Sequence, residues 1–308
     1  MLFTIMGATG HTGGRIARRL LAEGHRVRAI GRRKGALAAL ARAGAEALAG
    51  DANDPAFLAR AFAGADACYV LLAADMSAED YGAAQDRMGE AVCMALRETR
   101  VPRVVALGSL GADQRHHPIG LIAGLRRQDE RLRRLPGASV CLLRPASFFE
   151  NVLPQLQVAV HRGSIADAID ADLPIPMVAT HDVAEAAVRH LVHDDWRGTV
   201  VRELLGPRDL THTELASIAC KALGWPRLRY VRLPYEAMAE ALVAVGASAS
   251  FAHLYVETAH AINARRLEPM RGRTPENTTP TSFEAFMREV AASGAIGGNT
   301  AGAARSRA

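Results

Sequence analysis

The chain has 308 residues, 49% of them hydrophobic, with a mean hydropathy of +0.03. That composition belongs to a folded globular protein able to bury a large core, as one large or two unequal domains, and no apolar stretch approaches the ~20 residues a membrane-spanning helix needs. Basic residues outnumber acidic ones by 37 to 32, but they are scattered along predicted helices without interleaved aromatics, so charge gives no indication of nucleic-acid binding.

The strongest signal comes first. Leu2-Phe3-Thr4-Ile5-Met6 reads as a buried strand, Gly7-Ala8-Thr9-Gly10-His11-Thr12-Gly13-Gly14 as a tight turn, and Arg15 to Leu21 as an amphipathic helix. Strand, glycine turn and helix in that order open a dinucleotide-binding unit. Gly7 allows a sharp exit from the strand, Gly10 lets backbone approach a pyrophosphate, and Gly13 lets the helix pack closely, while the helix N-terminus offers N–H groups to phosphate. A strand starting at residue 2 leaves no room before it for a signal peptide, which makes the cytoplasm the expected location.

The second strand, Arg26 to Ile30, ends at Gly31-Arg32-Arg33-Lys34. A site that prefers NAD carries an acid near this point for the ribose 2′-hydroxyl. Three cations stand here instead, and an arginine fork suits a 2′-phosphate, so NADP(H) is the expected cofactor, with Arg32 foremost and Arg33 and Lys34 in support. A solvated basic turn is the plainer alternative.

The alternation continues with a helix over 34–43, a weak strand at 46–49, a helix over 56–63 and a strand at 67–72. A long helix over 78–99, a strand at 104–107, a helix over 120–135 and a strand at 139–143 follow. Six strands alternating with helices predict an α/β fold with a doubly wound parallel sheet, over residues 1–150. Regular alternation then breaks. Asp182-Val183-Ala184-Glu185 and Thr211-His212-Thr213-Glu214 both read as capping boxes, with a strand over 198–205 between them. Residues 151–292 are expected to form a smaller C-terminal α/β substrate lobe over the carboxyl edge of the sheet. The Gly/Ala/Ser/Arg-rich residues 293–308 are expected to be disordered. Cys68, Cys93, Cys141 and Cys220 lie far apart in apolar surroundings and read as reduced core residues.

The glycine turn, an Arg after strand two and a Gly-Asp pair after strand three are joined by two further stretches. These are Leu143-Arg144-Pro145-Ala146-Ser147-Phe148-Phe149-Glu150-Asn151 and Thr274-Pro275-Glu276-Asn277-Thr278-Thr279-Pro280-Thr281. Together they resemble the NmrA-like family of atypical short-chain dehydrogenase/reductases through about residue 290. The resemblance implies NADP(H) held by Gly7, Thr9, Gly10, His11, Thr12 and Gly13 and by Arg32 and Arg33. It further implies Asp51 and Ala52 near the adenine, Leu72, Ala73 and Ala74 beneath the ribose and pyrophosphate, and Ser109 and Phe148 near the nicotinamide. Phe148, Phe149 and Asn151 would shape an acceptor pocket. Asp51 also reads as a turn residue and Phe148 as core.

The Tyr-x-x-x-Lys pair of ordinary short-chain reductases is excluded by counting: Ala73, Gln85, Pro234, Ala239 and Ala259 stand four residues after the five tyrosines. Where many NmrA-like relatives keep a Lys, this chain has Arg126, followed by Glu130 and preceded a turn earlier by Ile122. Arg126 suits a ribose or phosphate, or simply an i,i+4 pair with Glu130; its fixed charge cannot tune a partner. His116 and His117 are loop candidates for a proton donor. His190 and His193 lack a third metal ligand at proper spacing, so no metal is expected, and Ser109 lacks a hydrolase elbow. Two functions fit: an NADPH-dependent oxidoreductase for a small electrophilic acceptor such as a quinone, azo dye or enone, or a non-catalytic redox sensor acting through a protein partner.

Overall fold

A computed structural model describes residues 1–73, 75–114 and 119–296. The N-terminal elements are β1 (Leu2–Ile5), α1 (His11–Ala22), β2 (Arg26–Gly31), a 3-10 turn (Lys34–Leu37), α2 (Ala38–Arg42), β3 (Glu46–Ala49) and α3 (Pro55–Phe62). They are followed by β4 (Ala67–Leu71), α4 (Tyr81–Thr99), β5 (Arg103–Leu107), α5 (Ile122–Leu132) and β6 (Ser139–Pro145). Every strand expected by periodicity is present, and the pairings within this sheet are all parallel. The expected 34–43 helix is split, its first turn being 3-10.

Beyond β6 come β7 (Ser147–Phe148), a 3-10 turn (Phe149–Val152), α6 (Leu153–Arg162), β8 (Ser164–Asp167), β9 (Ile175–Val178), α7 (Thr180–Val192) and β10 (Thr199–Leu204). The chain ends with β11 (Asp209–Leu210), α8 (His212–Leu223), β12 (Arg229–Arg232), α9 (Tyr235–Ala244), α10 (Ala249–Asn263) and α11 (Phe283–Ser293). The large sheet has the order β10-β6-β5-β4-β1-β2-β3. Its seventh strand is the 198–205 segment that sequence pattern placed in the second lobe: β10 pairs parallel to β6 from Thr199 opposite Val140 to Leu204 opposite Pro145. α7 likewise packs on α1 and the sheet, burying Val183, Ala184, Ala187 and Leu191. The nucleotide-binding layer therefore includes residues well past 150.

Two small sheets, β11-β9-β7 and β12-β8, form the second lobe with α6 and α8–α11. Its core gathers Phe149, Leu156, Leu215, Phe283 and Met287. The Thr274–Thr281 stretch has a local structural task. Leu205 donates its N–H to Asn277 O, and Thr279 donates its N–H back to Leu205 O, which fastens this segment to the end of β10. Asn277 closes the turn by accepting from Thr274 N at 2.8 Å and donating to Gly272 O at 2.8 Å.

The two predicted capping boxes fare differently. Thr211 and Glu214 cap α8 reciprocally, side chain to backbone in both directions. At α7 the cap is Ala179, and Asp182 already lies in the first turn, where it accepts from Thr281 N and Oγ1 at 3.0 Å each. The first turn of α7 is instead served by Glu150, which accepts from Thr180 N at 3.1 Å across 30 residues. Of the tail expected to be disordered, the first residues are ordered: α11 runs through Ser293, Gly294 caps it in the left-handed region, and Ile296 is buried. Residues 297–308 lie outside the described residues.

Candidate functional site

β1 lies between β4 and β2, so the Gly7–Gly13 loop leaves the sheet where strand order switches. Ligands of parallel α/β sheets bind there, outside the carboxyl ends of the strands. Gly7 has φ +61°, and a Cβ on it would come within 2.8 Å of Leu71 Cδ2. Gly13 is more constrained: its Cβ would lie 2.4 Å from Gly7 O and 2.7 Å from Met6 O, both backbone atoms. Gly10, the N-cap of α1, meets only Gly7 O at 3.3 Å and otherwise faces open space. Thr12 is buried, and its Oγ1 accepts from the Tyr69 hydroxyl at 3.0 Å, which fixes the first turn to β4.

α1 has no side-chain cap and no acid in its first turn. Among the described residues nothing accepts from the N–H groups of Thr9, His11, Thr12 or Gly13. Free donors at the positive end of a helix dipole suit a phosphate. At the end of β2, Arg32, Arg33 and Lys34 are exposed, and among the described residues none of them has an ion-pair partner. The residues present fit a dinucleotide whose pyrophosphate sits on α1 and whose adenosine end reaches β2.

The other expected contacts fall out unevenly. Asp51 accepts from Asn53 N and Nδ2, both at 2.9 Å, an Asx turn in the ordinary structural manner. Ala52 is half-buried beside it. Leu72 lies at the cavity described below, and Ala73 donates its N–H to Met88 Sδ. Ala74, like His116 and His117, lies outside the described residues. Arg126 is paired with Glu130 at 2.9 Å, the i,i+4 pair, and is not part of the cavity wall.

A cavity of about 380 Å³ opens at the carboxyl ends of β4, β5 and β6, under the second lobe. Leu71, Leu107, Leu110, Pro145 and Phe148 give it an apolar floor, and Leu173, Ile175 and Ile262 from the lobe give it a roof. Ser109, Ser147 and Asn151 place polar atoms at the edge; Ser109 Oγ is turned to Leu110 O at 3.0 Å. The structure brings Leu72, Ser109, Phe148 and Asn151 together here. It does not bring Phe149, which is 1% exposed with its ring 5.2 Å from Phe283 and 5.6 Å from Phe286. Phe149 packs in the core of the second lobe instead of the pocket expected for it, because the strand ends at Phe148 and Phe149 begins the 3-10 turn, its ring taken up by Phe283 and Phe286 of α11.

The wall also contains residues that sequence pattern did not single out: Tyr81 and Gln85 at the start of α4, and Thr258 and Arg265 from α10 and its end. No local motif marks them: α4 brings Tyr81 and Gln85 to the sheet, and α10 brings Thr258 beside them, with Phe251 edge-on to Tyr81 at 5.1 Å. Beneath the site, Arg144 donates Nε and Nη2 to Asp129 Oδ2 at 3.1 and 2.9 Å, and its Nη1 lies 3.6 Å from Asp113 Oδ1. This buried cation ties β6, α5 and the Ser109 loop together. Burial pushes the Asp129 carboxyl above its ordinary range, against the pull of Arg144. Burial likewise raises the Cys141 thiol to about 12, which leaves it unreactive.

A glycine loop at the sheet's switch point, a free helix N-terminus and an adjoining apolar cavity define a dinucleotide-binding α/β protein. The chain belongs to the NAD(P)H-binding family, whose profile matches residues 7–194. Its fold is shared by the NADPH-dependent quinone oxidoreductase QOR2 of Escherichia coli in complex with NADPH, with TM-score 0.77, 23% identity, and 94% of this chain and 99% of that chain covered. The Citrobacter sp. triphenylmethane reductase complexed with NADP(H) gives TM-score 0.74 and 21% identity over 94% of this chain and 100% of that one. NmrA, a negative transcriptional regulator in complex with NADP, gives 0.69 and 18% over 94% of each. This agrees with the NmrA-like resemblance read from the glycine loop and the Arg144–Asn151 stretch. No curated protein matches the chain in sequence. No helix among the described residues is long and apolar enough to cross a membrane.

Proposed function

We propose that this chain is an NADPH-dependent oxidoreductase acting on a small, largely apolar electrophilic acceptor. The observation that carries the reading is the cavity of about 380 Å³, walled mainly by carbon, at the carboxyl edge where the dinucleotide loop points. Bound NADPH supplies a hydride, and the chain's task is to bind, orient and exclude water. Gly10, His11, Thr12 and Gly13 hold the pyrophosphate on α1, with Gly7 and Thr9 shaping the approach. Arg32 and Arg33 select the 2′-phosphate, while Asp51 and Ala52 flank the adenine. Leu72 and Ala73 support the ribose, Ser109 and Phe148 bound the nicotinamide end, and Phe148 and Asn151 orient the acceptor. Residues 1–150 with α7 and β10 form the cofactor layer, and the rest of the chain through about 292 covers the acceptor. Two solved structures of the same fold, a quinone oxidoreductase and a dye reductase, bind NADPH or NADP(H).

The test follows NADPH absorbance with and without quinones, azo dyes and enones. Acceptor-dependent oxidation is expected, and it should vanish in Gly10→Asp, which sets a carboxylate against the pyrophosphate. NADPH binding without turnover on any acceptor would favour a second reading, a redox sensor. That reading has one observation in its favour: α5 turns Ile122 and Leu125 to the cavity, and neither can donate a proton. A sensor must bind NADPH and NADP+ with different affinity, since a ligand with equal affinity for both states shifts no equilibrium.

A further inference from the structure

Resting on the oxidoreductase reading, we infer that Tyr81 on α4 is the proton donor of this site, and that the natural acceptors are therefore carbonyl compounds, quinones or enones, which need a proton as well as a hydride. The α5 residues at the cavity, Ile122 and Leu125, cannot donate a proton; the wall supplies a donor from another helix.

Tyr81 is 5% exposed and lines the cavity. Of the five tyrosines it is the one whose hydroxyl has no hydrogen-bond partner among the described residues. Tyr69 donates to Thr12 Oγ1, Tyr255 to Asp167 Oδ2, and Tyr230 to Ile169 O, while Tyr235 accepts from Asn263 Nδ2. A hydroxyl with no protein partner, on a residue that lines a cavity, is available to hydrogen-bond a ligand held there.

The side chain is held from several sides. Asp80 caps α4 by accepting from Ala83 N, the N–H of Tyr81 donates to Ser250 Oγ at 3.1 Å, and the ring stands edge-on to Phe251. One turn on, Gln85 fills the notch left by Gly124 on α5, where a Cβ would come within 2.0 Å of Gln85 Oε1. Burial, and then the charge of Asp75, pushes the Tyr81 phenol above its ordinary value, so it stays protonated at neutral pH and is a donor.

The step balances as follows. A quinone takes a hydride, two electrons and one proton, from bound NADPH, and one carbonyl becomes a phenolate oxygen. The Tyr81 O–H bond breaks as that oxygen gains its proton, and water at the cavity mouth then reprotonates Tyr81. On a quinone, donor and product are both phenols; because the Tyr81 phenol is held above its ordinary value, the proton transfer itself is uphill and is drawn forward by the reprotonation of Tyr81. A cationic triarylmethane dye is different: hydride alone neutralises it, and no proton is needed.

That difference gives the experiment. Wild type and Tyr81→Phe are assayed for NADPH oxidation with a neutral quinone, an enone and a cationic triphenylmethane dye, and NADPH affinity and Tm are measured for both. Loss of one hydrogen bond to a developing anion predicts a fall of about 10- to 100-fold in kcat on the quinone and enone. Dye reduction, NADPH affinity and Tm should stay near wild type, since Phe keeps the ring on Phe251. As a measurement that needs no variant, kcat/KM of wild type should show a normal solvent deuterium isotope effect on the quinone and none on the dye. Equal rates in the variant, an equal loss on all three acceptors, or no isotope effect on the quinone overturns the role of Tyr81 while leaving an oxidoreductase. A wild type that reduces the dye alone does the same. Absence of turnover on every acceptor overturns both readings.

Discussion

Gly13→Ala is the sharpest test of how the nucleotide loop is built. The added Cβ would lie 2.4 Å from Gly7 O, 2.7 Å from Met6 O and 2.8 Å from Gly7 C. All three are backbone atoms, so no side chain can swing away. The shortest contact must grow by about 0.6 Å to reach even 3.0 Å, and only a retreat of the α1 N-terminus provides that. α1 carries Ile16, Ala17 and Leu20, all 0% exposed in the main core, so the retreat disturbs packing along the helix. Overpacking of this kind costs about 3 kcal/mol, the upper end of the usual range. At roughly 2 °C per kcal/mol for a chain of this size, Tm falls by about 6 °C by thermal melting. The same retreat moves the N–H groups of His11 to Gly13, and isothermal titration should show NADPH Kd raised by about tenfold or more. Gly10→Ala is the control: its Cβ meets only Gly7 O at 3.3 Å, so binding weakens while Tm stays within about 2 °C of wild type. Wild-type Tm and NADPH affinity in Gly13→Ala would refute the account of the notch.

Arg32→Ala should raise Kd for NADPH by roughly 10- to 100-fold and leave NADH binding little changed; equal losses on both would show that Arg32 does not meet the 2′-phosphate. His212 is buried against Tyr230, with ring centroids 4.8 Å apart, and burial pulls its pKa below the ordinary 6.5 against the opposing charge of Asp167. Because the folded value lies below the unfolded one, the stability contribution is complete above about pH 6.5 and is lost as pH falls through the folded value. In His212→Phe the melting temperature should vary less between about pH 7 and pH 5 than in wild type, and an unchanged slope would contradict this. Phe149→Ala should cost about 3–5 kcal/mol in denaturant unfolding; a stable variant with altered acceptor preference would instead return Phe149 to the pocket.

The sequence is most legible where neighbours in the chain determine the outcome. The Gly7–Gly13 spacing, the strand alternation through β6 and the Thr211–Glu214 box each depend on residues a few positions apart, and each forms. Where the structure departs, the deciding partner is far away. β10 was visible as a strand, but its side-by-side match with β6 lies some sixty residues distant, and nothing in its own sequence names that partner. Asp182 has the composition of a cap, yet Glu150 supplies the bond at α7 from outside and leaves Asp182 to hold Thr281. Phe148 and Phe149 are identical in type, and only the change from strand to 3-10 turn between them, with α11 waiting on one side, sends one to the cavity and the other to the core. Tyr81, Gln85 and Thr258 carry no motif, because the packing of α10 on α4 is what makes a wall of them.

The return of α7 and β10 to the large sheet bears on how such a protein can change. The chain passes into the lobe after Pro145, back before Thr180 and out again after Leu204. Glu150 on Thr180 and Asp182 on Thr281 are fastened at two of those passages. No single cut separates the large sheet with its helices from the second lobe, so recombination cannot exchange one lobe for another at a clean junction. On the oxidoreductase reading, new acceptor preference would arise residue by residue on the roof and wall of the cavity. The expected outcome is diversification by point substitution under a fixed topology, with relatives differing most among the side chains of α10 and the Leu173–Pro176 segment.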